Sequence, residues 1–248
     1  MCAVQLSLII PAYNSAAFIG DTLASARAFL ERRGETYELI VVDDGSADGS
    51  AALLSKLAAA NPSIRLISNG ANHGKGHAVR TGVIHSTGER VIFTDADLAY
   101  PLTEIDKIVG ALDAGADLAI ADRTSPDSLY HMSPAFFSYL YTRHVLSRFF
   151  NLMVRGWLGV SVRDCQAGLK GFRRAAADIV FRRQRLQGFT FDAELLYIAR
   201  RFNLEVRQVP VEFRYFSEPS TVVFLRDSIC ALRDLARVRL NAARGFYA

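Results

Sequence analysis

Arg90-Val91-Ile92-Phe93-Thr94-Asp95-Ala96-Asp97 is an apolar run that ends in two carboxylates one residue apart. Its length and its Val, Ile and Phe content are those of a buried strand. The acidic pair therefore falls where a strand leaves a sheet. Three similar runs precede it. Leu6–Ile10 is closed by Pro11-Ala12-Tyr13-Asn14, Tyr37–Val42 by Asp43-Asp44-Gly45-Ser46, and Ile64–Ser68 is the third. Leu118–Ala121 follows it. Helical patterns cover Ala16–Arg33, Ala51–Ala60, Gly76–Ser86 and Leu102–Ala114 between them. Strands that alternate with helices of about ten residues predict βαβ units and a mostly parallel sheet flanked by helices. In such a sheet ligands bind beyond the carboxyl ends of the strands. The polar strand ends are then expected along one edge.

The second half is less regular. Ser133–Leu158 reads as one or two helices rich in aromatics. Ala167–Phe172 and Val206–Phe213 read as strands, and Phe191–Phe202 and Asp227–Ala243 as helices. Neither a repeat nor a low-complexity linker divides the chain. A single domain over residues 1–248 with two lobes that meet near residue 125 is the simplest organisation at 248 residues. Half the residues are apolar, too many for a disordered chain. Cys2, Cys165 and Cys230 lack metal-type spacing and suit a reducing cytosol.

Charge is uneven. Residues 1–124 carry 10 Lys/Arg and 15 Asp/Glu, net −5, while residues 125–248 carry 19 and 10, net +9. The basic half is mostly Arg, whose planar fork suits phosphate. A nucleic acid, an anionic lipid headgroup, a phosphorylated acceptor or a merely solvated surface would each account for it. Nucleic acid is not expected, because no RNA or DNA module motif appears. No signal peptide is visible. No stretch reaches the ~18–20 uninterrupted apolar residues of a spanning helix, so a soluble or membrane-surface chain is expected.

Asp95-Ala96-Asp97 carries the sharpest chemistry. Two adjacent carboxylates repel, and a divalent cation relieves the repulsion. Mg²⁺ and Mn²⁺ bind oxygen ligands and bridge carboxylates to substrate phosphates. A strand-end turn with two solvated Asp is the plain alternative. Asp43 and Asp44 are placed to accept hydrogen bonds from a nucleobase or ribose, although an Asp-Gly turn needs no ligand. Asn72-His73-Gly74-Lys75-Gly76 opens a helix that carries Arg80, an arrangement able to cradle phosphate and also common without one.

Taken together, Ser7–Asn14, Glu38–Ser46 and Asp95–Asp97 resemble, in order and spacing, family 2 of the inverting glycosyltransferases, which have the GT-A fold. Arg163-Asp164-Cys165-Gln166-Ala167-Gly168-Leu169-Lys170-Gly171-Phe172 and Phe191–Ala199 narrow the resemblance to the polyprenyl-phosphate sugar synthases, the dolichyl-phosphate β-glucosyltransferases above all. The resemblance implies an α/β GT-A domain. Residues 1–124 would bind the nucleotide-sugar, and residues 125–248 would form an acceptor-side, membrane-facing half that ends in an amphipathic helix. It implies that Pro11, Ala12, Tyr13, Asn14, Asp43 and Asp44 hold the nucleobase and ribose. Asp95 and Asp97 would hold Mg²⁺ or Mn²⁺ and the diphosphate, with Ala96 between them in the donor site and Lys75 and Arg80 facing the donor. Arg123, Arg143 and Ser147 would meet the lipid phosphate and the donor diphosphate, and Gln166 and Lys170 the sugar. Asp192 stands where some members place an acceptor-facing acid.

Two positions depart from the pattern. Ala99 stands where mannosyl enzymes have a metal-shell Gln, which argues against a mannosyl donor. Glu218-Pro219-Ser220-Thr221 replaces a Gly-Ser-Lys run, so Thr221 stands for a Lys. UDP-glucose is the expected donor, with GDP-mannose or a UDP-N-acetylhexosamine as alternatives. Polyprenyl or dolichyl phosphate is the expected acceptor. A polysaccharide or protein hydroxyl is the alternative, and it would need Asp192 or Glu194 as base. A nucleotide-sugar binder without turnover is the reading outside catalysis.

A phosphate monoester has its second pKa near ~6, so such an acceptor attacks without a general base. Asp192 is then expected to orient groups. The acceptor lives in a bilayer, which places the chain on the cytoplasmic face of a membrane as a peripheral protein. Arg226, Arg233, Arg237 and Arg244 form one stripe on the last helix, flanked by Leu225, Ile229, Leu232, Ala236 and Leu240. That pattern suits anionic lipid or, equally, a core-packed helix with a solvated Arg edge.

Overall fold

The computed structural model describes residues 3–132, 150–215 and 224–248, without the side chains of residues 132, 215 and 224–229. Arg143, Ser147 and Thr221 lie outside the described residues, as do most of the aromatic segment 133–158 and the side chains of Leu225, Arg226 and Ile229.

The first half follows the expected alternation. β1 (Leu6–Ala12), β2 (Tyr37–Asp43), β3 (Ile64–Ser68), β4 (Arg90–Phe93) and β5 (Leu118–Asp122) are separated by α1 (Ile19–Arg33), α2 (Ser50–Ala60), α3 (Lys75–Ile84) and α4 (Glu104–Asp113). Residues 16–18 form turns, so α1 starts three residues later than the pattern suggests. Next come β6 (Leu129–Met132), α5 (described over 150–158), β7 (Lys170–Arg173), α6 (Arg174–Arg183), α7 (Phe191–Arg201), β8 (Val206–Pro210), β9 (Glu212–Tyr215) and α8 (Phe224–Ala243).

Seven strands form one sheet in the order β3-β2-β1-β4-β7-β5-β8, and β6 and β9 form a separate parallel pair. Leu8, Ile9, Ile10, Leu39–Val42, Val91–Phe93 and Leu118–Ala121 are all buried. Helices cover both faces of these strands, so their sequences are continuously apolar and do not alternate. α1 turns Ile19, Leu23, Ala26 and Leu30 inward, and α4 turns Ile105, Ile108, Val109 and Leu112 inward, at helical spacing.

Three features of the second half were not anticipated. β7 runs antiparallel between β4 and β5, with Phe93 opposite Lys170. It begins at Lys170 because residues 167–169 are still loop. The run Val206–Phe213 is not one strand: it breaks at Val211, after Pro210, and its two parts join different sheets. A proline has no N–H for a continuing ladder. β6 and α6 also lie where no element was expected.

The strand order reverses between β1 and β4, the place where open α/β sheets bind ligands. β1 pairs with β4 only from Leu6 to Ile9, whereas its pairing with β2 runs on to Ala12. Pro11 lies beyond the last residue paired with β4, where its missing N–H costs that ladder nothing. The two strands part there, so the ligand crevice of such a sheet is expected between Pro11–Asn14 and Thr94–Asp97.

Candidate active site

The acidic turn is fixed from three sides. Leu98 adopts a left-handed φ of 49°, uncommon outside glycine, and its N–H donates to Asp95 O at 3.3 Å. The Ala99 N–H donates to Asp97 Oδ1 at 3.0 Å, and Thr22 Oγ1 donates to Ala96 O at 2.7 Å. Asp95 and Asp97 thus emerge from one tight turn. Lys75, the first residue of α3, sets its Nζ 2.5 Å from Asp95 Oδ1. Burial alone would lower the Lys75 pKa, but Asp95, Asp192 and Asp97 outweigh it and hold the ammonium above its ordinary value. Asp97 is exposed to solvent on one side. Desolvation by the loops around it, then repulsion from Asp95, holds its carboxyl above the ordinary value.

The antiparallel entry of β7 brings Ala167–Lys170 to this same edge. Gly168 presents a bare Cα to the Asp95 carboxylate, and its N–H donates to Tyr100 Oη at 3.2 Å. Lys170 is fully buried. Its Nζ lies 2.6 Å from Asp192 Oδ1, donates to Ala167 O, and sits 5.6 Å from the centre of the Phe93 ring. Asp192 is 3% exposed. Burial raises its pKa against the opposing pull of Lys170 and Lys75. Gln166 is half-buried beside this segment.

The donor-side residues take two forms. Tyr13 is 48% exposed over the crevice, whereas Ala12, Asp43 and Asp44 are buried. Asn14 receives Ser46 Oγ on its N–H at 2.9 Å and accepts the Ala47 N–H on Oδ1 at 2.9 Å. Asp43 Oδ1 accepts the Ser46 N–H at 3.3 Å. Asp44 is committed to the loop before α3. Its Oδ1 accepts Asn69 Nδ2 at 2.7 Å, and its Oδ2 accepts the His73 and Gly74 N–H groups at 3.1 and 2.7 Å. Asp44 therefore shapes the loop that delivers Lys75.

Two predicted phosphate ligands are engaged by partners within the protein. Arg80 Nε donates to Phe181 O at 2.9 Å at the end of α6, away from the acidic turn. Arg123 forms a two-point pair with Asp164, Nε to Oδ2 at 2.7 Å and Nη2 to Oδ1 at 2.9 Å, with its guanidinium 5.3 Å from the Phe213 ring centre. Glu194 is fully buried: Tyr247 Oη donates to its Oε1, and the Arg185 and Leu186 N–H groups donate to its Oε2 at 3.0 and 2.7 Å. Both of its carboxylate oxygens are thus committed to donors within the protein.

Gly168, Tyr100 and Asp164 were not singled out from the sequence. Gly168 and Asp164 lie inside the 163–172 segment, which was the available signal; nothing local marked Tyr100. Asp95 and Asp97 form a hard-oxygen donor pair whose like charge Lys75 offsets only in part, since Asp95 still raises the Asp97 pKa, and such a pair suits Mg²⁺ or Mn²⁺. Among the described residues no third His, Cys, Asp or Glu joins them.

A family model described as Glycosyl transferase family 2 matches residues 7–181. The dolichyl-phosphate β-glucosyltransferase of Saccharomyces cerevisiae is 30% identical over 98% of this chain and 77% of its own length. The human protein of that name is 30% identical over 97% and 76%. A dolichyl-phosphate β-glucosyltransferase of Trichomonas vaginalis is 35% identical over 85% of this chain, which spans only 64% of that relative. Glucosyl-3-phosphoglycerate synthase of Mycobacterium tuberculosis in complex with Mn²⁺ and UDP-glucose shares the fold at a TM-score of 0.64, with 21% identity over 94% of this chain and 79% of that one. The same synthase with Mg²⁺ and UDP gives 0.62 at 20% identity over 96% and 79%.

Proposed function

The chain belongs to glycosyl transferase family 2 and is a glycosyltransferase, and on that premise we propose that it moves glucose from UDP-glucose onto a dolichyl-type polyprenyl phosphate with inversion. One observation carries the reading. Among the described residues Asp95, Asp97, Lys75 and the buried Lys170–Asp192 pair converge at the end of β4, and Asp192, the candidate base, is committed to Lys170. A hydroxyl acceptor must lose a proton, whereas a phosphate dianion need not. The names of the yeast and human relatives support the lipid phosphate and the glucosyl group.

The acceptor phosphate oxygen attacks C1 of the sugar from the face opposite the diphosphate. The C1–O bond to the diphosphate breaks and its electron pair departs on UDP. No proton moves. Pro11, Ala12, Tyr13, Asn14 and Asp43 hold the base and ribose, and Asp44 supports them through the Asn69–Gly74 loop. Lys75 faces the diphosphate. Gln166 faces the sugar, and the buried Lys170, fixed by Asp192, lends its charge to that side of the site. Arg123, Arg143 and Ser147 serve the acceptor phosphate, Arg123 with one side already held by Asp164. Asp95 and Asp97 would hold Mg²⁺ or Mn²⁺, which when bound supplies Lewis-acid neutralisation of the leaving diphosphate.

The enzyme acts as a peripheral protein on the cytoplasmic face of a membrane. Among the described residues no helix is long and apolar enough to cross a bilayer. The outer face of α8 exposes Leu232 and Leu240 beside Arg233 and Arg237, a pattern that suits an anionic surface. The test is a panel of UDP-glucose, GDP-mannose and UDP-N-acetylhexosamines against one polyprenyl phosphate and one glycan hydroxyl acceptor, read by product mass and by the anomeric proton coupling of the transferred sugar. A hexosyl lipid phosphate from UDP-glucose alone is expected. Transfer only to hydroxyl acceptors, or an α-linked product, would overturn the reading.

A further inference from the structure

The last residues are built into the frame of the donor site. Tyr247 is fully buried against Tyr197, their rings 5.8 Å apart, and its hydroxyl donates to Glu194 Oε1 while accepting Asn241 Nδ2 at 3.3 Å. The other Glu194 oxygen takes the N–H groups of Arg185 and Leu186. Two residues on, Gln187 O accepts the His77 N–H at 3.1 Å, in the first turn of α3. Gln184 Nε2 donates both to Gly76 O and to Leu186 O, each at 2.8 Å.

At Gly74 and Gly76 no Cβ holds this loop away from the start of α3. A Cβ at Gly74, whose φ is +102°, would lie 2.7 Å from Gln187 O, and one at Gly76 would lie 2.9 Å from the same oxygen and 2.6 Å from Phe191 Cβ. Lys75 stands between those two glycines and reaches Asp95. A displacement of Gln187 therefore meets the backbone at the start of α3 directly, through the His77 N–H and the bare Cα atoms of Gly74 and Gly76.

We propose that Tyr247 and Glu194 are positioning residues which, through loop 184–187, set the first turn of α3 and with it the Lys75–Asp95 contact that receives the donor diphosphate. The inference rests on the proposed function only for the identity of the ligand. Buried groups joined in one hydrogen-bonded network move together, and a donor site displaced by a fraction of an ångström loses affinity. Without its hydroxyl donor, Glu194 Oε1 is a buried acceptor with nothing to accept, and the loop it anchors loosens.

The test uses the full chain. Tyr247→Phe is examined by hydrogen exchange at the Arg185, Leu186 and His77 amides, and by calorimetric titration with UDP and Mn²⁺. Faster exchange at all three amides and a UDP affinity lower by about tenfold, with the acceptor KM unchanged, are expected. Glu194→Gln keeps the shape, its one oxygen still accepting the two loop N–H groups while its amide nitrogen donates to Tyr247 Oη, so its effects should be smaller than those of Tyr247→Phe. Unchanged His77 exchange, or unchanged UDP affinity in a folded Tyr247→Phe protein of lowered Tm, would overturn the proposal. A wild-type protein that binds no UDP would count against the proposed function, and the exchange experiment would still decide the relay. If Tyr247→Phe fails to fold, Asn241→Ala, which removes only the amide contact to the same hydroxyl, gives the same readouts in smaller size.

Discussion

Asp95 rests on the bare Cα of Gly168: a methyl group at residue 168 would overlap the Asp95 carboxylate. The contact joins the end of β4 to the loop before the antiparallel β7, so one small residue sets how far the acidic turn can enter the crevice. Gly168→Ala should displace Asp95 from Lys75. Such overpacking costs about 1–3 kcal/mol where neighbours cannot yield, and a misplaced diphosphate ligand lowers the rate by roughly a hundredfold. Steady-state transfer together with a thermal melt checks this. A variant that keeps full activity would mean the turn has room to shift.

Arg123 and Asp164 should behave as a structural pair before they behave as a phosphate ligand. Burial pushes the Asp164 carboxyl up, but Arg123 outweighs it and holds the pKa below the ordinary 3.8. A carboxyl depressed in the folded state contributes stability above its unfolded pKa and loses it as pH falls through the folded pKa. Wild type should therefore keep this contribution down to about pH 3.8 and lose it below. Arg123→Met strands a buried carboxylate at a cost of roughly 3 kcal/mol, and the loss should already be present at neutral pH. Denaturant unfolding from pH 3 to 8 separates the two profiles. If acceptor KM rises in Arg123→Met while stability is unchanged, the guanidinium serves substrate alone.

Much of the frame is legible in the sequence because the central strands are buried on both faces, so Leu6–Ile10, Leu39–Val42 and Leu118–Ala121 are unbroken apolar runs. Their strand ends then carry the carboxylates that the crevice gathers. Direction and order are not written in such runs. Nothing local in Lys170–Phe172 tells that β7 enters antiparallel between β4 and β5. Pairing partners far apart in the chain are equally silent: Leu129–Met132 becomes a strand only beside Glu212–Tyr215. The Arg123 side chain reads as a free cation until Asp164, 41 residues away, is brought to it. Pro210 is a signal that was present and passed over, since it marks the break between β8 and β9.

Asp192 and Asp97 should separate cleanly in single-turnover experiments. Asp192 is enclosed with Lys170, whereas Asp97 reaches solvent from the acidic turn. Asp97→Asn removes half of the paired carboxylate donor set and should slow transfer by roughly 10²–10³-fold, with chelation of divalent cations producing a similar loss. Asp192→Asn keeps an acceptor oxygen for Lys170 Nζ and should cost less than about tenfold. Equal losses in the two variants at intact donor affinity would restore Asp192 as an essential base.

The last helix presents one further surface that can be tested by itself. α8 packs inward through Leu235 and Val238, which are buried, and leaves Leu232 and Leu240 about half exposed, at 51% and 47%. At 3.6 residues per turn Leu232, Ala236, Leu240 and Ala243 span roughly 80°. Arg233, Arg237 and Arg244 border that strip on one side and Arg239 on the other, all exposed. A core-packed helix with a solvated basic edge has no need of leucines on its outer face; an interfacial helix does. Each basic residue near an anionic surface contributes about 1 kcal/mol, an affinity change of roughly fivefold. The protein should therefore float with phosphatidylserine-containing liposomes at low salt, and be released as screening shortens the reach of the charges. Arg233→Ser, Arg237→Ser and Arg244→Ser combined should abolish flotation while leaving UDP binding intact, and Leu232→Ser with Leu240→Ser should weaken it without changing its salt dependence. A triple arginine variant that floats as wild type does would remove α8 from the membrane interface.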